Sequence, residues 1–300
     1  MNASELRSEI WGALKYVRGV SRGVARGHIF PPEGREMPGI APGGSDDPAL
    51  ELDVLARIRQ EGATFTTPLH RVPVPGLSRP IEILHLTDVH LRKDDAWVAA
   101  LVEAMRPLRP DLVCVTGDVV AREWRPEAVH RFLAGLPKAP LGRYAVMGNW
   151  EYWAKALPEP WRATLAEHGV TLLLEESVDL GPLLLVGTDD ALAGSPEPGR
   201  VVDGLQVGKP VVVMTHSPAL FPRVARPGVN LVLSGHSHAG QVRLPVLGSL
   251  WVPRGTGVFV AGWYHQGESW LYVSRGVGWS IAPVRMWCPP ELARIRLEPA

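Results

Sequence analysis

The sequence predicts an α/β fold in which two packed, mostly mixed β-sheets are flanked by helices, with a helical arm preceding them. Three observations support this prediction. The chain has 300 residues, of which 46% are apolar, so it is long enough to bury a large core. After residue 80, short apolar runs typical of buried strands alternate with stretches of helical periodicity. No internal repeat is visible, so we expect one main domain over residues 81–300.

The first thirty residues predict a basic amphipathic helix. Apolar side chains recur at steps of three and four from about Ala3 to Arg26, and arginines and lysines occupy the remaining face. Such a helix lies on an anionic membrane surface, or it docks on its own domain or on a second subunit. Periodicity leaves both interpretations open.

Two further segments separate this arm from the domain. Residues 31–48 predict a linker, because five prolines and four glycines fill these eighteen positions. Residues 49–80 predict a helix to about Gln60 followed by a lead-in to the first strand of the domain.

Charge and cysteine content limit the partners and the compartment. The formal net charge is zero, which argues against a nucleic-acid partner held by phosphate contacts. Cys114 lies in an apolar run and Cys288 precedes two prolines, so we expect reduced thiols and no disulfide framework. No apolar run reaches the roughly 18 to 20 residues that span a bilayer, and the first 30 residues lack a signal-peptide core. The expected location is cytoplasmic, peripheral to the inner membrane if the arm binds lipid.

The first predicted strand, over residues 81–86, is followed by Asp88 and His90. Because side chains on an extended segment alternate between faces, this carboxylate and this imidazole are expected to point the same way. Alone, the pair also fits a helix cap followed by a loop histidine. The residues that follow later strands favour a metal site instead.

Two more strands of the same predicted sheet end in polar side chains. A strand, a helix and a second strand within about 35 residues form a right-handed crossover, which places Asp118 beside Asp88. The third strand leads to Asn149. Ligand sites in open α/β sheets lie beyond the carboxyl ends of strands. The predicted elements are a helix over 94–105, a strand over 111–116, a helix over 125–136 and a strand over 144–147.

Histidines follow two later strands. A strand over residues 210–215 precedes His216, and another over 229–234 precedes His236 and His238. We expect alternate positions of an extended loop to direct His236 and His238 toward one centre, and the flanking glycines to allow close backbone approach. Of the remaining predicted strands, 170–174 and 183–186 extend the first sheet, and 258–261, 270–274 and 292–297 come late in the chain.

At these positions the chain resembles the calcineurin-like metallophosphoesterase superfamily. Longer strings, over residues 235–245, 274–278 and 285–291, are similar to its bacterial branch of membrane-associated phosphodiesterases and a UDP-2,3-diacylglucosamine pyrophosphatase. The motifs that carry the resemblance occur in this order: Asp88-x-His90, Gly117-Asp118, Gly148-Asn149, His216 and Gly235-His236-x-His238.

The resemblance implies a two-sheet sandwich with two divalent ions, of which Asp118 is the bridging ligand. It implies hydrolysis of a phosphodiester or pyrophosphate, lipid- or nucleotide-linked, by hydroxide held between the ions. Mixed imidazole and oxygen ligands favour Mn, Fe or Zn over Mg. Asp88, His90 and His238 are expected to complete one ion's shell, and Asn149, His216 and His236 the other's. The catalytic residues implied are Asp118, Asn149, His236 and Arg275, although Arg275 also fits a structural ion pair.

One position departs from the family pattern, which usually has a histidine after Gly148-Asn149. Here Trp150 follows, and an indole cannot donate a proton near neutral pH. Three interpretations stay open: the leaving group needs no acid, another residue such as His85, Glu151 or His265 substitutes, or the protein is a non-catalytic metal-binding scaffold. The nearby tryptophans fit core packing, nucleobase stacking or an acyl-chain groove.

Overall fold

The computed structural model describes residues 64–93, 95–203, 208–244, 248–280 and 283–300. The predicted arm, linker and helix before residue 61 lie outside these residues. Within them, no helix has both the length and the apolar character needed to cross a bilayer. Two six-stranded sheets form the centre of the fold, and helices cover their outer faces. This architecture confirms the predicted fold class.

The first sheet is mixed and has the strand order β1-β14-β2-β3-β4-β5. Strands β2 to β5 are parallel, and β14 runs antiparallel to β2. Strand β1 belongs to this sheet because it pairs with β14, although it precedes the predicted domain start at residue 81. The strands are β1 Leu69–Val74, β2 Ile81–Leu86, β3 Leu112–Thr116, β4 Arg143–Val146, β5 Thr171–Leu172 and β14 Ala293–Pro299.

The second sheet has the order β12-β13-β9-β8-β7-β6, with β7, β8, β9 and β13 parallel. A short ribbon of β10 and β11 stands apart. The strands are β6 Glu176–Asp179, β7 Leu184–Gly187, β8 Val211–Met214, β9 Val229–Ser234, β10 Arg243–Leu244, β11 Gly248–Ser249, β12 Gly262–Gln266 and β13 Ser269–Val273.

Two predictions about strands were wrong. The run over residues 183–186 does not extend the first sheet, because β7 pairs with β8 in the second. An apolar run indicates a buried strand without indicating its neighbour. Residues 258–261 form a loop, in which the backbone N–H groups of Val260 and Ala261 donate to the Tyr264 hydroxyl instead of to a neighbouring strand.

Six α-helices connect the described strands. Asp95 caps the first by accepting the backbone N–H of Trp97 at 3.0 Å, and Pro126 and Pro158 begin the second and fourth, where proline is well tolerated. The helices are α1 Ala96–Met105, α2 Pro126–Ala134, α3 Asn149–Trp153, α4 Pro158–Glu167, α5 Pro198–Asp203 and α6 Phe221–Val224.

Alternating side chains on the strands build a four-layer core. In β2, Ile81 and Ile83 face the second sheet, whereas Leu84 and Leu86 face α1, α2 and α4. The same period of two, throughout β8 and from Leu231 onward in β9, divides their side chains between the inter-sheet layer and the α6 side. The central strands of both sheets are therefore buried on both faces, which leaves their ends as the places where polar groups collect.

Candidate metal centre

The carboxyl ends of strands from both sheets meet at one place. The ring of His216, which follows β8 of the second sheet, donates Nδ1–H to the carbonyl of Thr116, the last residue of β3, at 2.8 Å. All seven predicted metal ligands collect around this junction, and each is at least 96% buried. They form two clusters that share one carboxylate.

The first cluster contains Asp88, His90 and His238. The Nε2 atoms of the two histidines lie 2.9 Å apart, and their rings stack at 4.8 Å. Asp88 Oδ1 is 3.3 Å from His238 Nε2 and 3.9 Å from His90 Nε2. These three ligand atoms are close enough to share one ion.

The second cluster contains Asp118, His216 and His236, with Asn149 beside them. His216 Nε2 lies 3.2 Å from Asp118 Oδ2, 3.1 Å from His236 Nδ1 and 3.2 Å from Asn149 Oδ1. One imidazole nitrogen is thus surrounded by two oxygens and a second ring nitrogen. This set of atoms suits a second ion.

Asp118 joins the two clusters. Its Oδ1 accepts the backbone N–H of Trp150 at 2.8 Å, which turns Oδ2 toward the histidines. Oδ2 is 3.2 Å from His216 Nε2 in the second cluster and 3.8 Å from His90 Nε2 in the first. A carboxylate with one oxygen fixed and one shared is suited to bridge two cations.

Hydrogen bonds to main-chain carbonyls select the tautomers of two histidines. His216 donates through Nδ1 to Thr116, and His236 donates through Nε2 to the carbonyl of Arg254. The lone pairs therefore lie on His216 Nε2 and His236 Nδ1, the two atoms that face each other. Two lone pairs 3.1 Å apart repel unless a proton or a metal ion lies between them.

The electrostatics also fit cations at this place. Burial raises the pKa of Asp118 to about 7, and that of Asp88 is raised for the same reason. Burial lowers the pKa of His216, but the carboxylates of Asp118 and Asp88 outweigh it and raise that pKa well above 6.5. Among the described residues, nothing hydrogen-bonds the buried atoms Asp88 Oδ1 and His90 Nδ1, so Asp88 Oδ1 is available to a metal ion.

The backbone conformation of these residues differs from the predicted extended one. Asp88 and His90 have φ values of 55° and 52°, and His236 and His238 have 68° and 50°. In the left-handed region, strand alternation does not apply. His236 and His238 nevertheless both reach the centre, one in each cluster.

Close approach of the backbones depends on glycine, as predicted for the glycines near His236. A Cβ atom at Gly235 would lie 2.0 Å from Thr87 Oγ1 and 2.4 Å from Asp88 Oδ2. Asp88 Oδ2 accepts the Thr87 hydroxyl and the His236 N–H, each at 2.9 Å. The absence of a side chain at Gly235 lets the ends of β2 and β9 share this carboxylate.

Glu151 supports the centre without facing it. Its buried carboxylate accepts four backbone N–H groups at 2.7–3.2 Å, those of Gly148, Asp118, Val119 and Val120. Burial raises the pKa of Glu151, whereas the bonds from Gly148 and Asp118 lower it. Through these hydrogen bonds, the Glu151 side chain links the loop after β3 to the loop after β4. In the sequence, an acid two residues after Asn149 indicates only a possible proton donor.

Sequence reasoning missed Arg285 as a site residue. Its side chain is 1% exposed, and it donates to the carbonyls of Gly278 at 2.8 Å, Arg275 at 3.0 Å and Cys288 at 3.2 Å. Its guanidinium also lies 3.5 Å from His238 Nδ1. Arg285 therefore ties the last loops of the chain to a candidate ligand. A lone arginine in an irregular segment gave no periodicity from which its burial could be inferred.

The structure places Arg275 against Glu291, with Nε 3.6 Å from Oε2, which matches the ion-pair interpretation of this residue. Trp150 lies over the first cluster, its ring 5.7 Å from that of His90 in an edge-on arrangement. The indole therefore occupies the mouth of the centre, where the family pattern has a histidine.

Three exposed apolar side chains lie near this mouth. The ring centroids of Trp153 and Trp150 lie 5.5 Å apart. Leu192 and His236 both lie next to Gly255, since a Cβ atom there would be 3.1 Å from the Leu192 side chain and from His236 Nε2. The Trp251 carbonyl lies beside Gly240, two residues after His238. We call Trp153, Leu192 and Trp251 the apolar rim; together with Leu157 and Leu250 they are the large apolar side chains most exposed among the described residues.

Comparisons with known proteins assign the family. The model of the calcineurin-like phosphoesterase family matches residues 81–240, more than half of the chain. An uncharacterized metallophosphoesterase of Helicobacter pylori (strain J99) is 33% identical over 236 residues, covering 74% of this chain and 61% of that protein. A transmembrane protein with metallophosphoesterase domain from Bos taurus is 29% identical over 260 residues, 79% of this chain and 57% of that protein.

Phosphodiesterase YaeI of Escherichia coli (strain K12) is 29% identical over 233 residues, which cover 73% of this chain and 82% of that enzyme. The chain spans about three-fifths of the length of the Helicobacter and Bos taurus relatives. Since the family model covers both Asp-containing strand ends and the paired histidines, the chain belongs to the calcineurin-like phosphoesterase family.

Proposed function

We propose that the protein is a dinuclear metal-dependent hydrolase of phosphodiester or pyrophosphate bonds. The observation that carries the proposal is the position of Asp118 Oδ2, 3.2 Å from a histidine of one cluster and 3.8 Å from a histidine of the other. Asp88, His90 and His238 would hold one ion, and Asn149, His216 and His236 the second, with Asp118 shared. The mixture of imidazole and oxygen atoms favours Mn, Fe or Zn.

The protein's own groups set the geometry of the reaction. When bound, the ions would polarise the phosphoryl oxygens and lower the pKa of the attacking water. Asp118 is held by the Trp150 N–H, and the His216 and His236 rings are held by main-chain carbonyls. Little motion of these side chains is needed during reaction, which favours electrostatic stabilisation of the transition state.

The surroundings of Trp150 favour a leaving group that needs no acid. His85 is buried, and its Nε2 forms a hydrogen bond with Thr116 Oγ1 at 2.8 Å. The Glu151 carboxylate already accepts hydrogen bonds from four backbone N–H groups. His265 lies on β12, where its ring packs on Trp270 at 5.2 Å. None of these three candidate acids is presented to the mouth of the centre. A phosphoanhydride or an aryl ester is therefore the preferred substrate class.

The apolar rim supports a substrate with a large apolar or aromatic portion, such as an acyl chain or a nucleobase. We also propose peripheral membrane contact through the arm of residues 1–30, and a relative bears the name of a transmembrane protein. Co-sedimentation with anionic vesicles should fall when residues 1–30 are deleted. Equal sedimentation of the full and truncated chains would contradict membrane contact through the arm.

Hydrolysis of bis(p-nitrophenyl) phosphate with added Mn²⁺ tests the proposed activity. We expect Asp118→Asn to lower kcat by about 10³-fold, because the shared oxygen loses its charge. Asp179→Asn is the matched control, since that exposed carboxylate on β6, an edge strand of the second sheet, contacts Lys209 at 2.7 Å and the Gly181 N–H at 2.8 Å. Unchanged hydrolysis in Asp118→Asn would contradict the dinuclear assignment.

A second candidate function is a non-catalytic metal-binding scaffold, which Trp150 favours because it replaces the usual histidine. The two candidates differ in their response to substrates rather than to metal. A scaffold would retain two bound ions, measured by elemental analysis, yet hydrolyse neither aryl phosphodiesters nor nucleotide and lipid pyrophosphates.

A further inference from the structure

A group of metal-ligating side chains lies on the helical layer, away from the strand ends. His130 is on α2, Glu167 is the last residue of α4, and His168 follows it. Their ligand atoms lie within 4.8 Å of one another. None of the motifs that define the family includes these residues, and the centre described above does not use them.

The two helices that present this group are fixed relative to each other. Trp161 of α4 is 2% exposed and packs edge-on against Trp124, just before α2, at 6.3 Å. On α2, Val129 beside His130 is buried in the same core. The Arg143 side chain donates to the His168 carbonyl, which fixes the backbone at that residue. The histidines are therefore brought together by packing rather than by chance contact of mobile loops.

The distances suit one small cation. His130 Nδ1 and His168 Nε2 lie 2.8 Å apart, with ring centroids 5.1 Å apart and planes inclined by 49°. A tetrahedral Zn²⁺ with Zn–N bonds of about 2.0–2.1 Å separates two nitrogens by about 3.3 Å. A small rotation of the exposed His130 ring provides this separation.

The charges around the group are balanced rather than strongly negative. Glu167 contributes a carboxylate, and the Arg143 guanidinium opposes it. Two imidazoles and one carboxylate, exposed to water that can fill the remaining positions, are ligands typical of Zn²⁺, Ni²⁺ or Cu²⁺. Mg²⁺ and Ca²⁺ prefer shells of oxygen, so they are not expected here.

We propose that His130, Glu167 and His168 form a surface site for a transition-metal ion, Zn²⁺ in the first instance, which cross-links α2 to α4. This ion is additional to any held at the strand ends. In a metal-loaded preparation, it would be counted together with the ions of the centre and would raise the metal-to-protein ratio by one.

Equilibrium dialysis of the full chain against Zn²⁺, followed by elemental analysis, tests the proposal. At saturation, His130→Ala should bind one Zn²⁺ fewer per chain than the wild type, and Glu167→Gln should weaken the same site by about tenfold through loss of the charged ligand. Because the readout is a difference between two preparations, it does not depend on how many ions the centre holds. Hydrolysis of an aryl phosphodiester should be unchanged in both variants.

His265→Ala is the matched control, because His265 is an exposed histidine on the second sheet. It should bind as much Zn²⁺ as the wild type. Equal stoichiometry in wild type and His130→Ala would overturn the site. A loss of the same size in His265→Ala would also overturn it, since that result indicates adventitious binding to surface histidines.

Discussion

Removal of the Glu151 carboxylate should strongly destabilise the fold. The carboxylate is fully buried and accepts four backbone N–H groups from the loops after β3 and β4. Each bond to a charged acceptor contributes roughly 1.5–3 kcal/mol, and an unpaired buried donor costs a comparable amount. The bonds are coupled, so their contributions do not add fully.

Glutamine keeps one acceptor oxygen but directs an NH2 group at the remaining donors. We therefore expect Glu151→Gln to lower the free energy of unfolding by about 2–4 kcal/mol, and Glu151→Ala by about 4–5 kcal/mol. Urea unfolding followed by tryptophan fluorescence measures both changes. Glu159→Gln, an exposed acid in the first turn of α4, should stay within about 0.5 kcal/mol of the wild type. A Glu151→Gln protein as stable as this control would refute the role assigned to the carboxylate.

Three further changes test the site and its surroundings. Gly235→Ala should lose bound metal in elemental analysis, because its Cβ would lie 2.0 Å from Thr87 Oγ1; Gly208→Ala, which meets no atom within 4 Å, should retain it. Burial lowers the pKa of His85 to about 3. Between about pH 6.5 and pH 3, the His85 imidazole therefore binds a proton in the unfolded chain but stays neutral in the folded chain. Stability should fall by about 2 kcal/mol from pH 7 to 5 through this group and by less in His85→Gln, as measured by urea unfolding. Trp150→His should raise kcat/KM for alkyl phosphodiesters by up to about 10²-fold but little for aryl esters, and equal effects on both would contradict the proposed leaving-group class.

The strands that carry the site were predictable because they are short apolar runs that end in polar residues. The predicted strand over 229–234 has the same bounds as β9, and the crossover from β2 to β3 follows from the spacing of the two runs. Proximity of Asp88 to Asp118 required only that parallel strands end at the same edge. The arrangement of strands within a sheet was less predictable, since β7 reads as a buried strand in either sheet.

The local geometry of the site could not be predicted from the pattern of residues. Left-handed φ values at Asp88, His90 and His238 have no signature in apolar periodicity, and non-glycine residues adopt them only when the surrounding fold holds them there. The same limit applies to Arg285. Its partners are carbonyls in loops up to ten residues away and a histidine 47 residues away, so its burial depends on tertiary contacts alone.

Each cluster draws its side chains from both halves of the sandwich. His90 and His238 are 148 positions apart in the chain, and His216 reaches back 100 positions to Thr116. During synthesis, neither cluster can be complete before the second half has docked onto the first, so high-affinity metal capture must be a late event in folding. Removal of the metal ions by a chelator should in turn weaken the contact between the two sheets. Limited proteolysis should then cut the chelated protein at places remote from the metal-binding residues.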